Sequence, residues 1–150
     1  MIDINLSGVF YCVKHQVPAM VGSGGGVIIN NSSLPGTRAL PETSVEYTAA
    51  KHGVLGLTRQ VAVNHGAEGI RCLAVCPGLV ETSLISAEVA GGIKAGGIGD
   101  EGRQWFNDRT PMKRIGQPDD IAGAVLMLCS DQLSFANGTH LLVDGGLTQG

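Results

Sequence analysis

Apolar positions along this chain follow two spacings that alternate. From about residue 3 to residue 21 they recur every three or four positions, which predicts one amphipathic helix. The stripe that this helix would bury is Leu6, Val9, Phe10, Val13, Val17 and Met20. A glycine-rich turn at 22–26 ends the helix, and the continuous apolar run at 27–30 predicts a short buried strand.

A second helix and a second strand follow in the same order. The sequence at 43–46 fits a capping box, with Thr43 as the cap and Glu46 three residues later. We therefore predict a helix over about 45–66. Residues 70–76 are again continuously apolar, which predicts the next strand.

A third long helix and a last strand complete the pattern. Pro118 stands at the start of this helix, and Asp119 and Asp120 place carboxylates near the positive end of its dipole. The apolar run at 140–143 predicts the final strand. Before this helix, the segment 81–114 is rich in glycine and weakly periodic, which indicates a mobile excursion with one or two short helices.

Continuous apolar strands that alternate with helices are typical of a parallel sheet covered by helices on both faces. Right-handed crossovers would place the three strands side by side. The expected fold is therefore α/β, a partial Rossmann-like doubly wound parallel sheet of three strands with flanking helices. Ligands of such sheets bind beyond the carboxyl ends of the strands. Here those ends carry polar and turn-forming residues, namely Ser32, Ser33, Pro77, Gly78 and 144–146.

The composition narrows the possible functions. The 150 residues suffice for one domain, and a net charge of −3 without a basic run argues against a nucleic-acid surface or a polybasic membrane anchor. No apolar run approaches the ~20 residues that span a bilayer. The first residues lack the basic and apolar parts of a signal peptide. We therefore expect a cytoplasmic protein whose partner is a small molecule and neither a nucleic acid nor a membrane.

The four cysteines form no metal-binding pattern. The sequence has no CxxC pair and no histidine pair at the spacing of a zinc finger. We interpret Cys12, Cys72, Cys76 and Cys129 as small buried hydrophobic residues, and we predict no metal site.

Ser33, Tyr47 and Lys51 form a compact acid–base set. On a helix that starts near residue 45, Tyr47 and Lys51 lie one turn apart on the same face. A free phenol ionises only near pH ~10, but an ammonium about 5 Å away, at an effective dielectric of about 20, favours the phenolate by about 3 kcal/mol. Ser33 can hydrogen-bond the same substrate oxygen, which suits proton transfer at an alcohol or ketone while hydride moves at the carbon. The alternative is a chance spacing, with both side chains solvated on an exposed helix.

Over essentially all 150 residues, the chain resembles the later part of a short-chain dehydrogenase/reductase. The matching stretches are 5–8, 26–33, 47–51, 69–82, 114–122 and 143–146. The resemblance implies that Tyr47 is the general acid/base and that Lys51 promotes its ionisation and holds the nicotinamide ribose. It further implies that Ser33 polarises the substrate oxygen and that Asn5 holds a water in a proton relay to Lys51.

The resemblance also implies a cofactor site. Its residues would be Tyr47, Lys51, Pro77, Gly78, Val80 and Thr82. The backbone of Val80 and the hydroxyl of Thr82 would face the nicotinamide carboxamide. Simpler roles stay open, because Asn5 could be an ordinary helix-terminal residue, Thr82 could cap a turn, and Ser32 could take the role of Ser33.

The glycine-rich TGxxxGxG turn of the family has no counterpart here, since no such turn follows a strand. We therefore expect 1–150 to be a single domain, the carboxy-terminal portion of a short-chain dehydrogenase/reductase. In such a portion the strand at 27–30 would present an open edge to another chain.

The resemblance implies an NAD(P)-dependent oxidoreductase that interconverts a secondary alcohol and a ketone, with NAD preferred over NADP. The spacing of Tyr47 and Lys51 favours ketone reduction over the enoyl-reductase branch of the family. A substrate lid would span about 83–114. Three of its large side chains could line the substrate or belong to the core, namely Trp105, Phe106 and Met112.

A second hypothesis has no catalysis. The chain would be a truncated, inactive fragment that acts only as an interaction or oligomerisation module. In the family, the helices that resemble 3–21 and 45–65 pack against another subunit, so we expect a homo-oligomer under either hypothesis.

Overall fold

The computed structural model describes residues 1–41, 43–83, 85 and 99–149. The strands in this part are β1 (Gly26–Asn31), β2 (Ile70–Pro77) and β3 (His140–Val143). They form one parallel sheet in the order β1-β2-β3. The predicted α/β fold with three adjacent parallel strands is therefore confirmed.

The helices of the described part are α1 (Gly8–Gly22), α2 (Val45–His65), α3 (Gly99–Arg109) and α4 (Pro118–Cys129). A π-helical turn, Asp3–Ser7, leads into α1, so the predicted first helix begins with a wider turn. Helix α3 lies inside the predicted excursion, and residues 84 and 86–98 of that excursion lie outside the described residues. None of the helices in the described part is both long and apolar enough to cross a membrane.

The register of the sheet aligns the strand ends. Gly26 of β1 lies opposite Ile70 at the start of β2, and Pro77 at the end of β2 lies opposite Val143 at the end of β3. Because the strands are parallel, their carboxyl ends meet at one edge of the sheet. Strand β1 has β2 on one side and no described strand on the other, as expected for the edge of the sheet.

Helices cover both faces of the sheet. Successive side chains of β2 point to opposite faces, so this strand contributes to both layers of packing. One face of the sheet packs on α1 and α2 through Val13, Val17, Ile28, Val61, Ala62, Ile70 and Cys72, and nearby through Leu55, Ala74 and Cys76. The other face packs on α4 through Leu73, Val75 and Leu128. The carboxyl ends of the strands are left free for a site.

The predicted cap of α2 is wrong by one residue. The helix begins at Val45, so its N-cap is Ser44 rather than Thr43, and the Ser44 hydroxyl accepts a hydrogen bond from the Tyr47 backbone nitrogen at 3.3 Å. The capping box fails because its acidic member must stand three residues after the cap, and that position is Tyr47. The consequence for the site is that Tyr47 lies in the first turn of α2.

The interpretation of all four cysteines as buried is wrong for two of them. Cys72 and Cys76 are buried in β2, whereas Cys12 and Cys129 are exposed. Both exposed cysteines lie on helices, where only one stripe of side chains faces the sheet. Their neighbours Val13 and Leu128 occupy that stripe instead.

Candidate active site

Tyr47 and Lys51 are neighbours on the first turns of α2. The Lys51 Nζ lies 5.5 Å from the centre of the Tyr47 ring. Tyr47 is half-buried, whereas Lys51 is only 8% exposed. The structure thus excludes the alternative in which both side chains are simply solvated on an exposed helix.

A backbone carbonyl from the sheet holds the Lys51 ammonium. Lys51 Nζ donates a hydrogen bond to the Asn31 carbonyl oxygen at 3.0 Å, at the end of β1. Loss of water by burial lowers the pKa of Lys51 below its ordinary value, and the nearby Cys76 thiol acts in the opposite direction. The strand end therefore fixes the position of a cation beside the Tyr47 ring.

The two serines that follow β1 have different environments. Ser32 is 3% exposed, and its hydroxyl donates to the Lys51 carbonyl oxygen at 2.9 Å. A Cβ at Gly36 would collide with the Ser32 Oγ and lie 2.8 Å from the same carbonyl, so glycine is required where the loop crosses α2. Both serines line the cleft described next, but Ser33 is half-buried whereas the buried Ser32 hydroxyl is bonded to α2, which favours Ser33 as the serine that meets a substrate.

A cavity of about 910 Å³, which we call the cleft, opens at the carboxyl ends of the strands. Among the residues that line it are Ser33, Tyr47, Lys51, Pro77, Gly78, Val80 and Thr82. Seven of the residues that the sequence singled out therefore share one cavity. The cleft continues over the exposed side of α4, where its wall is formed by Ile121, Ala122, Val125, Leu126 and Cys129.

Asn5 is the one predicted catalytic residue that the structure does not bring to the cleft lining. It lies in the π-helical turn, where its side-chain amide donates to the Met1 carbonyl oxygen at 3.2 Å. The adjacent Leu6 packs against Gly53 of α2, at a place where a Cβ would lie 2.9 Å from the leucine methyl groups. The turn is thus docked on α2, but the described contacts of Asn5 do not include Lys51.

The turn after β2 is held closely against the end of β3. The Gly78 nitrogen donates to the Val143 carbonyl oxygen at 3.0 Å, and a Cβ at Gly78 would lie 2.9 Å from the Cβ of Asp144. Further along, Val80 pairs with Gly116 in a parallel bridge. These contacts fix the backbone of the predicted nicotinamide-binding segment on one wall of the cleft.

Sequence reasoning missed the role of the chain after β3. The Asp144 carboxylate accepts hydrogen bonds from the Gly146 nitrogen at 2.9 Å, the Thr148 nitrogen at 3.0 Å and the Thr148 hydroxyl at 2.8 Å. Leu147 is thereby turned toward the cleft, which it helps to line. The Asp-Gly-Gly sequence was the available signal, since Asp side chains commonly bond to backbone two residues onward.

The three large side chains of the predicted lid have different environments in the structure. Trp105 and Phe106 of α3 stack edge to face, with ring centres 4.9 Å apart, and Phe106 lines the cleft. Met112 is 62% exposed and lines a separate, smaller cavity. Arg103 of α3 makes a bidentate ion pair with Glu81, which ties α3 to the wall formed by the turn after β2.

Within the described residues, no group of three or more histidine, cysteine or acidic side chains is placed to hold a metal ion. The polar groups that line the cleft include the hydroxyls of Ser33, Tyr47 and Thr82 and the ammonium of Lys51. That set can donate, accept and hold protons at an oxygen atom.

The sequence and structure of known proteins identify the family. A family model described as "Enoyl-(Acyl carrier protein) reductase" matches residues 1–148. The chain is 40% identical over 149 residues to a cyclohexanol dehydrogenase of Acinetobacter sp. strain SE19, covering 99% of this chain and 53% of that protein. It is 38% identical to an A-factor type gamma-butyrolactone 1'-reductase of Streptomyces virginiae, covering 99% and 55%. The chain belongs to the short-chain dehydrogenase/reductase family.

Solved structures of the same family match the fold of this chain. A gluconate 5-dehydrogenase from Burkholderia cenocepacia J2315, in complex with NADP and tartrate, superposes with a TM-score of 0.84 at 36% identity, over 97% of this chain and 54% of that one. The ligand-free aldohexose dehydrogenase of Thermoplasma acidophilum gives a TM-score of 0.86 at 34% identity, over 100% and 58%. The chain thus spans about half the length of the relatives that it matches.

Proposed function

We propose that the protein is an NAD(P)-dependent oxidoreductase that interconverts a secondary alcohol and a ketone. The observation that carries this proposal is the convergence of Ser33, Tyr47 and Lys51 on the cleft that also contains the turn at 77–82. Proton-transfer groups and a wall suited to a cofactor therefore face the same space. The named activities of the relatives are consistent with this reaction class, although they range from cyclohexanol oxidation to gamma-butyrolactone reduction.

The lining of the cleft fits the nicotinamide end of the cofactor. A flat, weakly polar ring needs an apolar wall and a few hydrogen-bonding groups for its carboxamide. Pro77, Gly78 and Val80 supply the wall, and the exposed side chain of Thr82 supplies a hydroxyl. We assign the Val80 backbone and the Thr82 hydroxyl to the carboxamide, and Tyr47 and Lys51 to the ribose.

When bound there, a nicotinamide supplies or accepts the hydride at the substrate carbon. In ketone reduction, Tyr47 donates its phenolic proton to the substrate oxygen as that oxygen gains charge. Ser33 donates a hydrogen bond to the same oxygen and orients it. In alcohol oxidation the proton moves back to Tyr47.

We assign Lys51 to placing a positive charge beside Tyr47. Its ammonium, held by the Asn31 carbonyl, keeps a positive charge 5.5 Å from the ring centre. We assign Asn5 to a water-mediated relay between Lys51 and solvent, a role that requires its amide to exchange the Met1 carbonyl for water. The docking of its turn on α2 supports this assignment.

Cofactor titration tests the proposal. NADH and NADPH are added to the protein while the fluorescence of the dihydronicotinamide is followed, and we expect saturation, with NAD(H) preferred. The gluconate 5-dehydrogenase and ElxO structures contain NADP, so both cofactors are needed in the test. Thr82→Ala should weaken binding about two- to tenfold, because it removes one hydrogen bond. Ser83→Ala, which changes the adjacent exposed hydroxyl, should not.

The second candidate, an inactive interaction or oligomerisation module, is favoured by apolar side chains on the outside of α1 and α2. Phe10 is 46% exposed, Tyr11 57% and Val63 79%. We propose that these faces join copies of the chain in a homo-oligomer, which light scattering measures directly. An oligomer that gives no saturable signal with either cofactor would support the module and exclude the enzyme.

A further inference from the structure

A second cavity of about 670 Å³, which we call the side recess, adjoins the cleft. The two cavities share wall residues, namely Leu34, Leu40, Thr43, Phe106 and Leu147. A substrate whose reacting oxygen lies between Ser33 and Tyr47 therefore has room to extend past these shared residues into the side recess. The walls of the side recess then select the part of the substrate that does not react.

The walls of the side recess are largely apolar. They include Leu34, Leu40, Pro41, Trp105, Phe106 and Leu147. Trp105 is fixed in place, because Phe106 packs edge to face on it and the Arg109 guanidinium lies 3.9 Å from the ring centre. The indole is still 48% exposed, so an aromatic surface is left for contact with a ligand.

Two polar side chains that line the side recess are engaged within the protein. Arg38 donates to the Thr148 carbonyl oxygen at 3.0 Å, and the Thr148 hydroxyl donates to Asp144 at 2.8 Å. Arg38 and Glu101 both line the side recess, and their formal charges cancel. Among the described wall residues the apolar side chains outnumber the polar ones, so a substrate with many hydroxyl groups would bury several of them without partners, which costs free energy.

The tail after β3 sets the boundary between the two cavities. Asp144 holds Thr148 through two hydrogen bonds, and Arg38 donates a third to the carbonyl oxygen of the same residue. Leu147, between these contacts, lines both the cleft and the side recess. An apolar side chain is thus fixed at the point where a substrate would bend from one cavity into the other.

We propose that the substrate is a neutral secondary alcohol or ketone with an alicyclic or aromatic ring, and that the ring occupies the side recess between Trp105, Leu40 and Leu147. This inference rests on the proposed oxidoreductase function. The reaction is unchanged: the alcohol loses hydride to the oxidised nicotinamide and a proton to Tyr47, and ketone reduction reverses both transfers.

Trp105 reports directly on the side recess because it is the only tryptophan in the 150 residues. We would titrate the protein with cyclohexanol, and separately with cyclohexanecarboxylate and with myo-inositol, while following indole fluorescence. Cyclohexanol should give a saturable change, and the charged ring and the polyhydroxylated ring should bind at least about tenfold more weakly. Equal or tighter binding of either polar probe, or no saturable change with cyclohexanol, overturns the inference.

Substitutions of Leu40 test the location of the ring. Leu40→Ser should weaken cyclohexanol binding about tenfold, and Leu40→Met, which keeps the volume, should restore it. Met127→Ser is the control, because Met127 is exposed and lines neither cavity. Binding that is insensitive to Leu40→Ser, or equally sensitive to Met127→Ser, contradicts a site in the side recess.

Turnover separates this inference from the function on which it rests. If the protein oxidises sorbitol with NAD or NADP but not cyclohexanol, the oxidoreductase function stands and the substrate class is wrong. If cyclohexanol changes Trp105 fluorescence but no alcohol is oxidised with either cofactor, the side recess is selective as inferred and the proposed function fails.

Discussion

Lys51 shows at the scale of a single residue how the fold prepares a side chain for chemistry. An ammonium is costly to bury, and here its partner is the Asn31 carbonyl at 3.0 Å. The lowered pKa of Lys51 reflects that loss of water. The fold thereby holds a buried cation next to the Tyr47 ring.

Substitutions of the adjacent residues Ser32 and Ser33 should have different effects, one on stability and the other on the reaction rate. Ser32→Ala removes a buried hydrogen bond to the Lys51 carbonyl and should lower the free energy of unfolding by about 1 kcal/mol. Ser33→Ala should leave stability unchanged and lower kcat about 100-fold, because it removes the proposed donor to the substrate oxygen. Denaturant unfolding and steady-state rates on both variants check this. A loss of kcat that follows Ser32 instead would show that the serines were assigned the wrong way round.

At the scale of elements, the start of α4 is fixed by one carboxylate. Asp120 accepts two hydrogen bonds from the Arg114 guanidinium, at 2.6 and 2.8 Å, and one from the Gln117 backbone nitrogen at 2.7 Å. Hydrogen bonding to Arg114, followed by the bond from Gln117, lowers the pKa of Asp120 to about 2. The segment 114–120 is thereby closed into a loop that leads α4 onto the sheet.

This arrangement predicts a pH dependence of stability. The folded-state pKa of Asp120, about 2, lies below the unfolded value of 3.8, so its contribution is complete above the unfolded value and is lost as the pH falls toward 2. The Tm difference between the wild type and Asp120→Asn should therefore be largest above pH 5 and shrink between pH ~4 and pH ~2. Thermal unfolding at several pH values measures it, with Asp119→Asn as the matched control. A difference that stays constant down to pH 2 would contradict the assignment.

At the scale of the whole molecule, three strand ends and the helices α2, α3 and α4 build the cleft. Strand β1 brings Ser33 and the Asn31 carbonyl, β2 leads into the turn at 77–82, and the chain after β3 supplies Leu147. Helix α2 contributes both Tyr47 and Lys51. Parallel strands place all of these at one edge, which explains why residues far apart in the sequence share one cavity.

The range of the contacts in the whole molecule explains which features could be predicted from the sequence. The strands and α2 were predictable because they follow from apolar runs and helical spacing within a few neighbouring residues. The burial of Lys51 was not, because it depends on a carbonyl twenty residues away. The fixed position of Leu147 depends likewise on Arg38, whose partner Thr148 is 110 residues further along the chain. Contacts of this range leave no local pattern.

The proposed mechanism requires Tyr47 to transfer the proton in this cleft. Its most direct test is the rate of ketone reduction in a single turnover, with saturating reduced cofactor, for Tyr47→Phe against Tyr11→Phe. Tyr11 is the only other tyrosine of the sequence and is 57% exposed, so it is a matched control. We expect Tyr47→Phe to lose about 100-fold or more while still binding cofactor, and Tyr11→Phe to react at the wild-type rate. A Tyr47→Phe variant that reduces ketone as fast as the wild type would contradict the account.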